Sequence, residues 1–340
     1  MKLLKVFFSF FFFFTTIVSA QQVQDSVYIK ELTTLASSLT AKNDARTYIA
    51  IMQKMLVLSE KQKDTFRTIN FLHNIGRQSQ FVQEHSTAIN SFKKELELFN
   101  KYNFNEQEKK LLERRKIAPI EILVQLGNSY AAIGETKKGL EYYSKSEAIA
   151  NDKNLEFYKG VIPVLIGGMN FNARDYQKAL FEYKKGYRRL QEAKDIDDIN
   201  RDFNSSLTLT SISYTYLKLK KIDSAKFILK ELKDRKLDTI NELVKLNYLT
   251  QKNRILIAEK KYTEALKEIN KLKVLSHKYD PNSGNYYYYR ELAEAYEGLK
   301  KFDSAAVVMQ NGIAIGLTKT KEFNLVDDYK KLAKIYKKAG

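Results

Sequence analysis

A small residue followed four places later by a large apolar one recurs down this chain at almost constant distance. The pairs are Ala88/Phe92, Gly139/Tyr143, Ala179/Tyr183, Ala225/Leu229, Ala265/Ile269 and Ala305/Met309. From Gly139 onward the small members stand 40, 46, 40 and 40 residues apart. Nine residues before four of them sits a large apolar partner, Tyr130, Tyr216, Leu256 or Tyr296, and Tyr336 follows Tyr296 by another 40. One such pair means nothing, because any helix can contain it. A fixed period with a coupled second signature means that each unit buries its apolar face against its neighbours, so the fold is an array of similar units.

The clearest unit is Ile122–Ala150. Leu123, Leu126, Gly127 and Tyr130 recur at helical spacing, the Gly134-Glu135-Thr136 turn interrupts, and Gly139, Leu140, Tyr143 and Ser146 recur again. Two amphipathic helices back to back follow from this, with Gly127 and Gly139 allowing close approach. L-G-x2-Y, then a small residue with an aromatic four later, resembles the tetratricopeptide repeat. That family's usual repeat is about 34 residues, so each helix here is expected to be about one turn longer. The resemblance implies an all-α, right-handed superhelical solenoid of antiparallel helix pairs, with about seven repeats and a C-terminal half repeat.

The expected repeats lie near 28–61, 69–102, 120–153, 160–193, 206–239, 246–279 and 286–319, with the half repeat at 326–340. In the first, Thr47 takes the place of the small anchor. Between Asn100 and Ala118 the period slips, and the charged run Glu108–Lys116 reads as a helical extension with a solvated basic face, ending before Pro119. The polar connector Asp195–Ser206 is expected to absorb the six extra residues between Ala179 and Ala225. Lys252-Asn253 stands where Leu126-Gly127 stands in the clearest unit. Pro163 and Gly167-Gly168 fall inside a first helix, where proline costs about 3 kcal/mol and glycine about 1 kcal/mol; a kink or a late start is expected there. Asp280–Gly284 reads as a loop. The last helix, from Phe323, carries a lysine-rich face suited to capping an array.

Of 340 residues 44% are hydrophobic, enough for a sizeable core, while 3 Pro and 13 Gly favour helix. Met1–Ala20 stands apart. Lys2 and Lys5 precede the apolar run Val6–Phe14, and Val18-Ser19-Ala20 supplies small residues for cleavage, the pattern of a secretory signal peptide. An exported protein in the periplasm or outside a bacterial cell is expected, with no later segment long enough to span a bilayer. There is no cysteine, so no disulfide forms. The net charge is +18, and +16 once Lys2 and Lys5 leave with the leader. Such a field favours anionic partners; export argues against nucleic acid and for an anionic glycan or lipid of the envelope.

Nothing in the sequence points to catalysis or to a cofactor. His73, His85 and His277 lack metal-ligand spacing, and no phosphate-loop, zincin, nucleophile-elbow or EF-hand pattern occurs. What the resemblance implies instead is a binding groove lined by first helices, on which a protein or extended peptide lies. Two rows, four residues apart, face it. One contains Arg77, Asn128, Gly168, Tyr214, Arg254 and Glu294; the other contains His73, Val124, Thr210, Thr250 and Arg290. The family's clamp for a C-terminal carboxylate pairs Lys with Asn in these rows; Asn128 fits, but Val124 stands in place of the lysine. Within the run Tyr286–Tyr289, Tyr289 is expected in the core and Tyr287 in the groove beside Arg290. The candidate groove residues are therefore Arg77, Asn128, Tyr214, Arg254, Tyr287, Arg290 and Glu294. The array is also similar to the exported repeat regions of bacterial signalling proteins, which implies a sensor role in the envelope.

Overall fold

The computed structural model describes residues 24–38, 44–279, 286–319 and 325–340. The expected leader 1–20 and the whole of the 280–284 loop fall outside them. Two compact units divide the chain, Met1–Ala148 and Ile149–Gly340.

The first unit holds α1 (Gln24–Ser38), α2 (Ala45–Lys61), α3 (Thr65–Phe81), α4 (His85–Lys101), α5 (Glu106–Arg115) and α6 (Pro119–Ala132), and the boundary falls within α7 (Thr136–Asp152). The second holds α8 (Glu156–Asn172), α9 (Tyr176–Glu192), α10 (Asp198–Lys218), α11 (Ile222–Asp234), α12 (Glu242–Ala258), α13 (Tyr262–Tyr279), α14 (Tyr286–Gly298), α15 (Phe302–Lys319) and α16 (Val326–Ala339). A single 3-10 turn, Leu237–Thr239, is the only other regular element among the described residues. The architecture is an all-α solenoid of antiparallel helix pairs.

Local chemistry sets where the helices begin. Asp44, Asp64, Asp175 and Asp197 each accept a hydrogen bond from a backbone N–H three residues on, and Asn105 forms a reciprocal capping box with Glu108. Each such cap satisfies a backbone donor that the helix itself cannot. Helix α8 has no cap from its own N-cap residue, Leu155. Asp195 supplies it from the far side of the pair, accepting from the Phe157 N–H at 2.8 Å.

The anchor pairs are what hold each hairpin shut. Ala88, Ala179, Ala225, Ala265 and Ala305 are fully buried, as are Phe92, Tyr143, Tyr183, Leu229, Ile269 and Met309 to within a few per cent. Opposite three of the anchors the first helix presents a glycine. A methyl group on Gly76 would come within 2.6 Å of the Phe92 ring, on Gly127 within 2.4 Å of Tyr143, and on Gly167 within 2.7 Å of Tyr183. Glycine is needed there because the aromatic ring of the second helix fills the space a side chain would take.

Several expectations change. Leu140 is 38% exposed and lies off the core face. Thr47 is exposed, and its neighbours Tyr48, Ile49 and Met52 do the packing. The charged segment after α4 is a separate helix, not an extension of it. Arg115 on that helix is half-buried and donates to Asn70 Oδ1 of α3, so it does not belong to a solvated face. The extra residues before Ala225 lengthen α10 to 21 residues, so the connector shrinks to Ala193–Asp197. Arg201 ties that connector down, donating to the carbonyls of Ala193 and Ile196 and pairing with Asp198.

Pro163 neither delays nor ends α8, which begins at Glu156. Proline lacks the N–H that would bond the carbonyl four residues back, here that of Lys159. Arg189 of α9 replaces it, its Nη1 donating to the Lys159 carbonyl at 3.1 Å. The two helices approach closely at this level: a methyl group on Gly186 would meet the Gly160 carbonyl oxygen at 2.7 Å.

Candidate functional site

All the candidate residues but Tyr287 sit one place beyond, or three places before, the buried residue that each first helix turns toward its partner. In the first unit these slots are Gly76 and Gly127; in the second they are Gly167, Ser213, Asn253 and Ala293, of which the last three are fully buried. A step of one residue rotates a side chain by about 100° around the helix. The next position therefore leaves the core and reaches the layer between neighbouring first helices.

In the first unit Arg77 is exposed on α3. Asn128 on α6 is partly committed: the Tyr143 hydroxyl donates to its Oδ1 at 2.7 Å, and its amide reaches Gln125 Oε1 at 3.4 Å. The row that was to contain its clamp partner is internal. Val124 is buried, and buried His73 meets fully buried Glu95 of α4, Nδ1 to Oε1, at 2.9 Å. The second oxygen of Glu95 has no hydrogen-bond partner. Burial pushes the Glu95 carboxyl above the usual carboxylate range; His73 pulls it back and Glu121 adds to the rise.

In the second unit the candidates form a ladder that runs from one first helix to the next. Phe171 of α8 packs against Tyr214 of α10 with ring centres 5.0 Å apart. The Arg254 guanidinium of α12 lies over the Tyr214 ring at 4.2 Å, and Lys218 approaches the same ring at 5.0 Å. Arg254 Nε then donates to Glu291 Oε1 of α14 at 2.8 Å. Farther along, Arg290 of α14 binds Asp328 of α16, Nε to Oδ1 at 2.9 Å, and Glu294 pairs with Lys331. Both Glu291 and Asp328 are buried. Burial pushes the Glu291 carboxyl up, Arg254 pulls it down, and Glu294 adds to the rise.

Four of the sequence candidates, Tyr214, Arg254, Arg290 and Glu294, thus lie in one layer, while Arg77 and Asn128 belong to the other unit. The side chain of Tyr287 lies outside the described residues. The tyrosine register also differs: Tyr288 is the buried member, stacked on half-buried Tyr289 at 4.3 Å. Sequence reasoning missed Glu291, Asp328 and Lys331, the partners that fix the arginines and Glu294. Their signal was present as opposite charge 37 or 38 residues on, just under one repeat.

The ladder has a definite chemistry. A guanidinium held flat on a ring, with one edge pinned by a buried carboxylate, loses little freedom when its other N–H groups meet a ligand. Arg254 keeps 24% of its side chain exposed and Arg290 keeps 43%. Neighbouring Gln251 and Asn253 are buried with amide atoms that lack partners. Among the described residues no cluster of three metal-ligating side chains occurs.

No protein-family model matches the chain, and no curated protein matches it. Solved structures do. The apo form of RapI superposes with a TM-score of 0.59 at 13% identity, over 86% of this chain and 97% of that one. A tetratricopeptide repeat protein from Parabacteroides merdae gives 0.58 at 14% identity, over 91% and 97%. NprR, in complex with its cognate peptide NprX, gives 0.56 at 12% identity, over 94% and 87%. At these identities the likeness concerns the fold, and it spans nearly the whole length of each partner. The chain has the fold of the tetratricopeptide-type helical-repeat proteins.

Proposed function

We propose that this protein is an exported, non-enzymatic scaffold that binds a peptide or a protein segment on its first helices, as the sensor part of an envelope signalling system. The observation that carries the reading is the layer of Tyr214, Arg254, Arg290 and Glu294, partly exposed and each held by a neighbouring helix. Rigid tyrosine and arginine are the side chains that most often anchor interfaces. NprR, with a similar fold, is a peptide complex. Export rests on the leader pattern of Met1–Ala20.

Two experiments test it. Purified residues 21–340 are panned against a library of extended peptides, and the selected peptides are titrated by calorimetry. Arg254→Ala and Arg290→Ala are expected to weaken binding by about tenfold or more each, the loss of an anchoring contact of about 1.4 kcal/mol or more. Absence of any selected peptide, or affinity unchanged in both variants, overturns the binding role. N-terminal sequencing of the protein recovered outside the cytoplasm is expected to begin at Gln21; an intact Met1 overturns the leader.

A further inference from the structure

The turns that join first helix to second helix carry a second, unrelated pattern. In three successive repeats of the second unit the turn is a lysine pair: Lys220-Lys221 between α10 and α11, Lys260-Lys261 between α12 and α13, and Lys300-Lys301 between α14 and α15. All six are exposed. Among the described residues only Lys261 makes an ion pair, with Glu259 at 3.1 Å, and Glu259 is shared with Lys226. Acidic residues in the helix turns that follow, Asp223, Glu264 and Asp303, offset part of the field. The excess persists across the unit: residues 149–340 hold 37 Lys and Arg against 25 Asp and Glu.

These pairs lie along one line. Helices α10, α12 and α14 lie side by side, and because each is followed by an antiparallel partner they run in the same direction; the pairing of Lys226, at the start of α11, with Glu259, at the end of α12, agrees with this. Their C-terminal ends, and the turns that follow, therefore share one edge. Neighbouring helices pack about 8–10 Å apart, so the lysine pairs recur at roughly that interval. The first lysine of each pair has a left-handed backbone, with φ of 59°, 62° and 60°. The corresponding residues of the other hairpins are Gln83 at φ 62°, Gly134 at φ 81° and Arg174 at φ 63°. Lysine is thus kept three times where glycine carries no steric penalty.

We propose that this edge binds a linear anionic polysaccharide. A line of point charges suits a polymer with regularly spaced carboxylates or sulfates better than it suits the plane of a bilayer. The aromatic residues next to the pairs are not free to stack on bases, as a single-stranded nucleic acid would need. Tyr262 packs so closely on Gly298 that a methyl group there would lie 2.2 Å from its ring, and Phe302 packs against the core formed by Ala305 and Met309. The edge would hold the protein on a surface polymer and leave the first-helix layer open.

The test uses residues 21–340 and heparin as the probe. The triple variant Lys220→Gly, Lys260→Gly, Lys300→Gly removes three charges and relieves the left-handed positions. It is expected to melt no lower than the parent and to bind heparin at least about tenfold more weakly at physiological salt. A control triple, Lys153→Gln, Lys233→Gln, Lys267→Gln, removes the same charge from exposed sites elsewhere and is expected to bind within about twofold of the parent. Unchanged heparin binding by the turn variant overturns the proposal, as does an equal loss in both triples. Equal or tighter binding of the parent to duplex DNA or to phosphatidylserine vesicles overturns the choice of polysaccharide.

Discussion

The early and the late hairpins fill the same slot in different ways. At α3–α4, α6–α7 and α8–α9 a glycine on the first helix faces an aromatic ring on the second, Gly76 with Phe92, Gly127 with Tyr143 and Gly167 with Tyr183. From α10 onward Ser213, Asn253 and Ala293 hold the first-helix position and Leu229, Ile269 and Met309 the second-helix one, all of them buried. Volume moves from one side of the contact to the other and the helices still close. Packing density is what the slot selects for, and residue identity follows from it. The units also differ in how neighbouring first helices recognise each other. In the first, neutral groups do it: Gln80 of α3 donates to the Gln125 carbonyl at 3.0 Å and to Ser129 Oγ at 2.8 Å. In the second, charge does it, and its sign reverses between Arg254–Glu291 and Glu294–Lys331. A repeat shifted by one place would then set like charges together, which fixes the order of the later repeats.

The largest test of this contrast is at Gly127. Gly127→Ala should lower stability by about 3 kcal/mol, despite alanine's better helix propensity, because the Tyr143 ring must move. Adding Tyr143→Leu, to imitate the later repeats, should recover more than half of the loss in urea unfolding. A neutral single variant would mean that the ring shifts freely and the two solutions are not distinct. Next comes Arg254→Ala, which strands the buried Glu291 carboxylate; a loss of about 2 kcal/mol is expected, below the value for a fully buried pair since Arg254 is partly exposed. Calorimetry should place that loss in the melting of the second unit.

A pH series tests the first unit at a buried carboxyl, Glu95, that titrates in the same direction as Glu291 of the second. The folded Glu95 carboxyl titrates above its unfolded value because it is buried, with His73 pulling it down and Glu121 adding to the rise. Its contribution is therefore complete at acid pH and is lost as pH rises from the ordinary carboxylate range through the raised folded value. The slope for one proton cannot exceed about 1.4 kcal/mol per pH unit. Glu95→Gln should flatten the profile over that window; an unchanged slope would assign it to other groups. The smallest effect is expected at Asn253, whose buried amide has no partner on either atom. Asn253→Ala, the residue found at 293, should raise stability by about 1 kcal/mol.

Much of the fold could be read from the sequence because burial on a helix recurs with the helix period. Ala225 with Leu229 and Ala265 with Ile269 fall where the spacing puts them, inside the core. Lengths and registers were harder. The connector before α10 is polar, as loops are, yet Asp197 caps it and the helix starts eight residues before Ser206. Arg115 looked like one of several solvated bases; its bond to Asn70, 45 residues away, leaves no local trace. In the candidate layer, Tyr214 and Arg254 were found from alignment alone. Glu291 and Lys331 were not, because their importance comes from partners on the previous repeat and not from any feature of their own helix.

The bond from Arg189 to the Lys159 carbonyl has a consequence for inheritance. A proline in the middle of a helix is tolerated here only while a side chain on the partner helix stands in for its missing amide. Position 163 and position 189 are thus free to change only as a pair. Any recombination that exchanged α9 without α8 would leave the Lys159 carbonyl stranded. The hairpin, not the single helix, is the smallest piece of this chain that can be moved.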